Sequence, residues 1–435
     1  MSGRPVFLSI LILLFVVLAC SLTPSPNSPG QGTPVADLLS TLVAQQLTAA
    51  ATSASTGTET FTLTAPASSV NMLQIVYSAG GNIRLSDGTT SKPLTSSGLD
   101  STPKISDDGL VVAFTRSGEL WAVNSDGKNE RLLASASALA ALPHGSSDLA
   151  QPRQFDFAPH SHDVYFNTIV LGDPFSMPEY NLVKVNADST ALQALLDGSQ
   201  GGGQFVFSPD GKKIALPRND KINVVNADGA GLKTVFTFPF VMMYSEISYI
   251  PDIAWLPDGS GFKTVIPAQD QLGDASAPTR LMFIPADGGP AAQLAEFVAS
   301  PAFANRPSIS PDGSKVLYTK AQGANLELHV IDASTADQMY FWHDANNFGI
   351  LGWAPDSTHV MYWLDDNRRA WLGPQPNDAI PLSDVTFASE VTWVDSRRYL
   401  FINEAELRLR ALGQPSILID GNLSESVFDF TLLVK

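Results

Sequence analysis

The phrase FSPDGKKIAL, Phe207 to Leu216, constrains this chain most, because the chain repeats it. Pro209 is pre-set for the second position of a type I turn, Asp210 tolerates the third, and Gly211 suits the fourth. Apolar, β-favouring residues flank the turn on both sides, so the phrase predicts a tight β-hairpin. Copies begin at Ile105 (ISDDGLVVAF), Phe157 (FAPHSHDVYF), Trp255 (WLPDGSGFKTVI), Ile309 (ISPDGSKVLYT) and Trp353 (WAPDSTHVMYW). Another, one residue shorter in its turn, begins at Trp393 (WVDSRRYLFI).

A second phrase keeps step with the first. LWAVNSDGKN, LVKVNADST, INVVNADGAG, LMFIPADGG and LHVIDASTAD each run an apolar strand into an Asn/Ala/Asp/Gly turn. Each lies downstream of a hairpin of the first kind. One unit therefore reads strand A, Pro-Asp-Gly turn, strand B, loop, strand C, Asp-Gly turn, strand D. Self-similarity at roughly 40–50 residues with four short strands per unit predicts an all-β propeller of four-stranded antiparallel blades.

The ends complete the count. LQIVYSAGGNIRLSDGTTSKPLTS, residues 73–96, holds B-, C- and D-like strands without an A strand before them. SVFDFTLLVK, Ser426 to Lys435, resembles the A strand RQFDFAP from Arg153. A ring must hide its sheet edges or they template aggregation. The expectation is a composite blade with its inner strand from the C-terminus, making eight blades, with seven as the alternative count.

The N-terminus carries a different signal. Arg4 precedes an apolar run from Val6 to Leu18, and Val17-Leu18-Ala19-Cys20 follows the pattern of a lipobox. The run is short for a transmembrane helix. Residues 1–20 therefore resemble a bacterial lipoprotein signal peptide, which implies lipid attachment at Cys20 and an extracytoplasmic, membrane-anchored chain. Cys20 is the single cysteine, so the exported domain is expected to fold without disulfides. Residues 21–70 are rich in Ser, Thr, Pro and Ala and read as a disordered tether spanning ~40 Å. A short helix over 34–50 is expected inside it, with Thr33 as N-cap and Pro34 in the first turn. Residues 71–435 form the propeller domain.

The Ser-Pro-Asp-Gly hairpins resemble the WD40-like repeats of TolB-type propellers and of the propeller domains of the prolyl oligopeptidase and dipeptidyl peptidase IV families. The resemblance covers residues 70–435 and implies the fold. TolB-type proteins carry an extra N-terminal α/β domain and the peptidases an α/β-hydrolase domain, so neither peptidase activity nor TolB partner contacts is expected here.

Motifs for chemistry are sparse. No Gly-x-Ser-x-Gly elbow, P-loop or His-Glu-x-x-His occurs. HSHD, His160 to Asp163, stands where other repeats have Pro-Asp-Gly and reads as a turn rather than a metal site. The Asp-Gly turns lack the ligand run of a calcium loop. No metal or cofactor is expected. A net charge of −17 argues against nucleic acid as a partner.

Loop parity locates the functional face. In an up-and-down blade the A–B and C–D turns share one face of the disc, and here both are short. The B–C and D–A connections share the other, and the long insertions fall there: 135–152, 168–180, 237–249, 267–279 and 297–305. Functional residues concentrate on loops carried by a rigid scaffold. Phe175, Met177, Tyr180, Phe240, Met242, Met243 and Tyr244 form the candidate binding face. Arg153, Asp252, Arg306 and Glu390, at or before A strands, are the candidates for the channel mouth. The favoured expectation is a monomeric, lipid-anchored binding or scaffold protein of the cell envelope holding a protein, peptide or glycan. The alternative is a glycan-acting hydrolase or lyase using channel-mouth carboxylates.

Overall fold

The computed structural model describes residues 72–142, 150–170, 179–200, 202–244, 247–270, 276–302, 304–323, 325–332, 337–343, 348–364, 369–382, 385 and 388–433. Contacts divide the chain into Met1–Ala67 and Ser68–Lys435. Lipidation at Cys20 and the helix over 34–50 concern residues outside those described.

Eight four-stranded antiparallel sheets follow one another along the second unit. Blade 2 starts with Asp100–Ile105, blade 3 with Ala150–Phe157 and blade 4 with Val206–Phe207. Blades 5 to 8 start with Ala254–Trp255, Ser308–Ile309, Phe348–Trp353 and Ala388–Trp393. Blade 1 is the composite expected from the sequence. Its A strand, Leu423–Leu433, pairs antiparallel with Met72–Ala79, setting Met72 opposite Leu433, Ile75 opposite Phe430 and Tyr77 opposite Phe428.

The apolar clusters show that the ring closes. An open arc of eight blades has seven interfaces and a closed ring has eight. One cluster joins Ile83 and Leu85 of blade 1 to Val112 and Phe114 of blade 2. Six more join successive blades from 2/3 to 7/8. The eighth packs Leu400 and Ile402 of blade 8 against Leu73, Ile75 and Tyr77 of blade 1. Because each blade is sandwiched between two others, its middle strands are buried on both faces. That is why Val111–Arg116 begins VVAF and Lys221–Asn226 reads KINVVN, without the polar alternation of a half-exposed strand. The outer strands are exposed, as in Leu192–Leu196 and Ile417–Asp420.

The repeated turn is built as its residues require. In blade 4 the Gly211 amide donates to the Ser208 carbonyl (2.8 Å), the Ser208 hydroxyl donates to Asp210 (2.8 Å), and Gly211 takes φ +68°. The same C–D turn amide reaches the A–B turn in blade after blade: Ser125 to Leu110, Ala187 to His162, Ala227 to Lys212 and Ala286 to Ser260. Both tight turns therefore lie on one face, and the long connections lie opposite.

Two details differ from expectation. A five-residue helix, Ala136–Ala140, capped by Ser135, forms inside the 135–152 insertion, which was expected as a loop. The 168–180 insertion is shorter than expected, because strands Asp163–Val170 and Glu179–Asn186 extend into it. Tyr180 is thus a strand residue paired with Thr168, not a loop residue.

Candidate functional site

The long-loop face carries a small hairpin between blades 4 and 5, Met242–Tyr244 against Ile247–Ser248. Its roots are apolar. Val241 and Tyr249 are buried with Ala302, the Tyr249 amide donates to the Val241 carbonyl (2.9 Å), and the Tyr249 hydroxyl donates to the Val265 carbonyl (2.8 Å). Alternation about Val241 does the rest: its neighbours Phe240 and Met242 are 42% and 56% exposed, while Phe238, before them, is buried beside Phe236. Met243 is half-buried and packs onto the root cluster. Of the other binding-face candidates, Phe175 and Met177 lie outside the described residues. Tyr180 and Tyr244 are in strands, with side chains outside the described set.

Two channel-mouth candidates come together beneath this hairpin. Arg306, preceding the A strand of blade 6, reaches Asp252 of blade 5 at 3.3 Å and donates to the Ile250 carbonyl at 3.1 Å. Its guanidinium lies over the Tyr249 ring, 4.9 Å from the centroid, as a cation–π contact. Surrounding protein pushes the Asp252 carboxyl up and Arg306 opposes that, and the effect is screened because the Asp252 side chain is 66% exposed. Around this pair the A strands of blades 5, 6 and 7 line a cavity of about 290 Å³. Arg153 is exposed in the A strand of blade 3, where the register shifts between Pro152 and Phe155.

Glu390 belongs to a different group. Burial pushes its carboxyl up, opposed by Lys104 of blade 2. Lys104 occupies the repeat position just before the apolar residue that opens each turn phrase, and Asp156 and Asp429 occupy it in blades 3 and 1. Lys104 sits 3.7 Å from Asp429, and the Asp429 carboxylate also accepts the Ile105 amide (2.9 Å). Desolvation pushes Asp429 up to about 6 against the pull of Lys104, and raises Asp156. Burial would lower the Lys104 ammonium, but Asp429, Asp156 and Glu390 outweigh it and raise it. Sequence reading missed this trio. Its signal was a charge at a register where other blades carry Val206, Ala254 or Ser308.

The glycosidase arrangement needs two carboxylates facing one bond, about 5–10 Å apart. Asp252 starts from blade 5 beside Arg306, whereas Glu390 starts from blade 8 and shares Lys104 with Asp429 and Asp156. Among the described residues no group of three or more His, Cys, Asp or Glu is arranged to hold a metal ion. HSHD is a turn, as expected, but a clasped one: His162 contacts Asp188 of its own blade (2.8 Å) and Asp108 of blade 2 (3.0 Å).

No family model and no curated protein matches the chain. Among solved structures it is similar to dipeptidyl peptidase 4 of Porphyromonas gingivalis, at 12% identity and TM-score 0.49, over 74% of this chain and 53% of that one. It is also similar to TolB from Acinetobacter baumannii (14%, TM-score 0.35, 73% and 65%) and to an oligogalacturonate lyase in complex with manganese (13%, TM-score 0.43, 71% and 89%). The chain spans about half the length of the peptidase. The blade count rests on the strand pairing of this chain itself.

Proposed function

We propose that this chain is a non-enzymatic binding or scaffold protein of a bacterial cell envelope, anchored by a lipid on Cys20, that captures a protein or peptide partner on the long-loop face of its propeller. The observation that carries the reading is the rooted hairpin with Phe240 and Met242 exposed at its start. Large apolar side chains held out on a fixed support are what binding surfaces use as anchors. Asp252 and Glu390 belong to separate charge groups, one with Arg306 and the other around Lys104, which supports binding over a hydrolase or lyase that would use these two carboxylates as its pair.

The test is capture from envelope extract by the immobilised protein, with the partner identified by mass and its affinity then measured. Phe240→Ser should weaken capture about 30-fold, as loss of an aromatic hot spot of ~2 kcal/mol does. The variant should keep its melting temperature, because the side chain is exposed. Lys212→Glu, on the opposite face and highly exposed, should bind normally. Unchanged capture by Phe240→Ser, or lost capture by Lys212→Glu, would invert the functional face. Glycan cleavage abolished by both Asp252→Asn and Glu390→Gln would favour the enzyme instead.

A further inference from the structure

The seam between blades 1 and 2 is where the closing strand, Leu423–Leu433, meets the second blade. Polar side chains fasten it as well as apolar core. The A strand of blade 2 shifts register between Ser101 and Lys104, with Thr102 at φ +51°. The closing strand takes up the backbone groups on either side of this irregularity. Glu425 accepts the Thr102 amide (3.1 Å), Asp429 accepts the Ile105 amide (2.9 Å), and the Thr431 hydroxyl donates to the Asp107 carbonyl (2.9 Å). Two carboxylates therefore tie the last strand of the ring to its second blade.

Asp429 sits in a crowded field. Its side chain is 23% exposed, and that of Lys104, 3.7 Å away, is 30% exposed. Lys104 attracts it, and Asp156 of blade 3 repels it. Asp156 and Glu390 of blade 8 draw on the same ammonium. Asp107, in the turn of blade 2, adds to the negative field at Asp156. Other groups on these strands do not redress the balance. Asp100 is held by Arg116, and Arg153 is exposed three residues before Asp156. Strand Met72–Ala79 sets Val76 opposite Asp429 and has no charged side chain. Three carboxylates thus share one ammonium, in a place where lost water makes each unmatched charge costly.

We propose that this group is an acid-strengthened latch on the ring: a proton taken up among Asp429, Asp156 and Glu390 relieves their repulsion and tightens the closing strand on blade 2, and its loss as pH rises loosens the seam. The proton belongs to the coupled trio rather than to one carboxyl. Desolvation pushes Asp429 up to about 6, against the pull of Lys104 and the Ile105 amide, whereas a free aspartate titrates near ~3.9. A carboxyl raised in the folded state contributes stability that is complete below its unfolded value and is lost as pH rises through the folded one. The turn aspartates act in the opposite sense and lower down. The Ser208 hydroxyl and the Lys212 amide bring Asp210 to about 2. Between about pH 5 and pH 8 the latch is therefore read apart from them.

The experiment is urea unfolding of the full-length protein at about pH 8 and pH 5, in a His162→Gln background so that the His162 clasp does not contribute. The unfolding constant should fall about tenfold from the higher pH to the lower. Asp429→Asn, which keeps an acceptor for the Ile105 amide, should remove most of that change. Asp156→Asn should stabilise the protein at the higher pH and shrink the change as well. Lys104→Met, which removes the shared cation, should destabilise more at the higher pH than at the lower. Should Asp429→Asn fail to fold, the other two variants decide. Hydrogen exchange locates the effect. Corrected for intrinsic rates, protection of the Ile105 amide should rise in acid more than that of the Ser300 amide, which is bonded to the Thr319 carbonyl (2.7 Å) between blades 5 and 6. A pH dependence untouched by both Asn variants, an equal cost of Lys104→Met at the two pH values, or equal changes at the two amides would overturn the latch.

Discussion

His162 shows what a single repeat substitution does. The usual Pro-Asp-Gly turn puts Asp and Gly at its tip, and here His160 takes the positive φ, +58°, while His162 swings between two carboxylates. Burial alone would lower the His162 pKa, but Asp188 and Asp108 outweigh it and raise the pKa above the ordinary histidine value. As the imidazolium it donates to both; neutral, it can donate to only one. A histidine whose folded pKa is raised contributes stability that is complete below its unfolded value near 6.5 and is lost as pH rises through the higher folded value. His162→Gln should therefore cost on the order of 1–2 kcal/mol at pH 6, and less at pH 9. Urea unfolding of both proteins at the two pH values checks this, and a pH-independent difference would mean that the clasp is not ionic.

Among the elements, the A strands carry both the regularity and its break. Trp255 Nε1 donates to the Val206 carbonyl of the preceding blade (3.1 Å), and Trp353 Nε1 donates to Ser308 in the same way (2.9 Å). Trp393 fills the same repeat position, yet its Nε1 is buried without a partner. The strand it would reach, Phe348–Trp353, shifts register between Ile350 and Gly352, and Gly352 takes φ +136°. Phenylalanine at 255 or 353 should thus cost about 1 kcal/mol more than phenylalanine at 393, the value of a typical hydrogen bond. Thermal unfolding of the three variants measures it, and equal costs would mean the indole bonds are energetically silent. The closing strand is the other special element. Its loss strips the cover from Leu73, Ile75 and Tyr77 and removes the Asp429 contacts to blade 2. A chain ending at residue 422 should lose more than the ~3 kcal/mol of a damaging point mutation and melt at a lower temperature. Unchanged melting would rule out closure by that strand.

For the whole molecule, the proposed anchor is separable from the ring. Cys20→Ala should abolish incorporation of labelled palmitate and leave an unprocessed precursor in a producing bacterium, while the purified protein keeps its melting temperature; labelling that persists would remove the anchor. The propeller itself was legible in the sequence. Pro-Asp-Gly turns have a local mechanism, so each copy announces a hairpin wherever it stands, and their period implies blades. Even the composite blade could be read, because an A-like phrase at one end answers a missing A strand at the other. The boundaries of the 168–180 loop could not, since where a strand stops depends on whether its neighbour continues the ladder. Nor could the pairing of Asp252 with Arg306, of Lys104 with Asp429, or of Glu327 with His329. Local turns and strand periods are short-range physics that one sequence window contains. Charge pairing and cavities are set by which residues the ring brings together from distant repeats, and only the tertiary structure decides that.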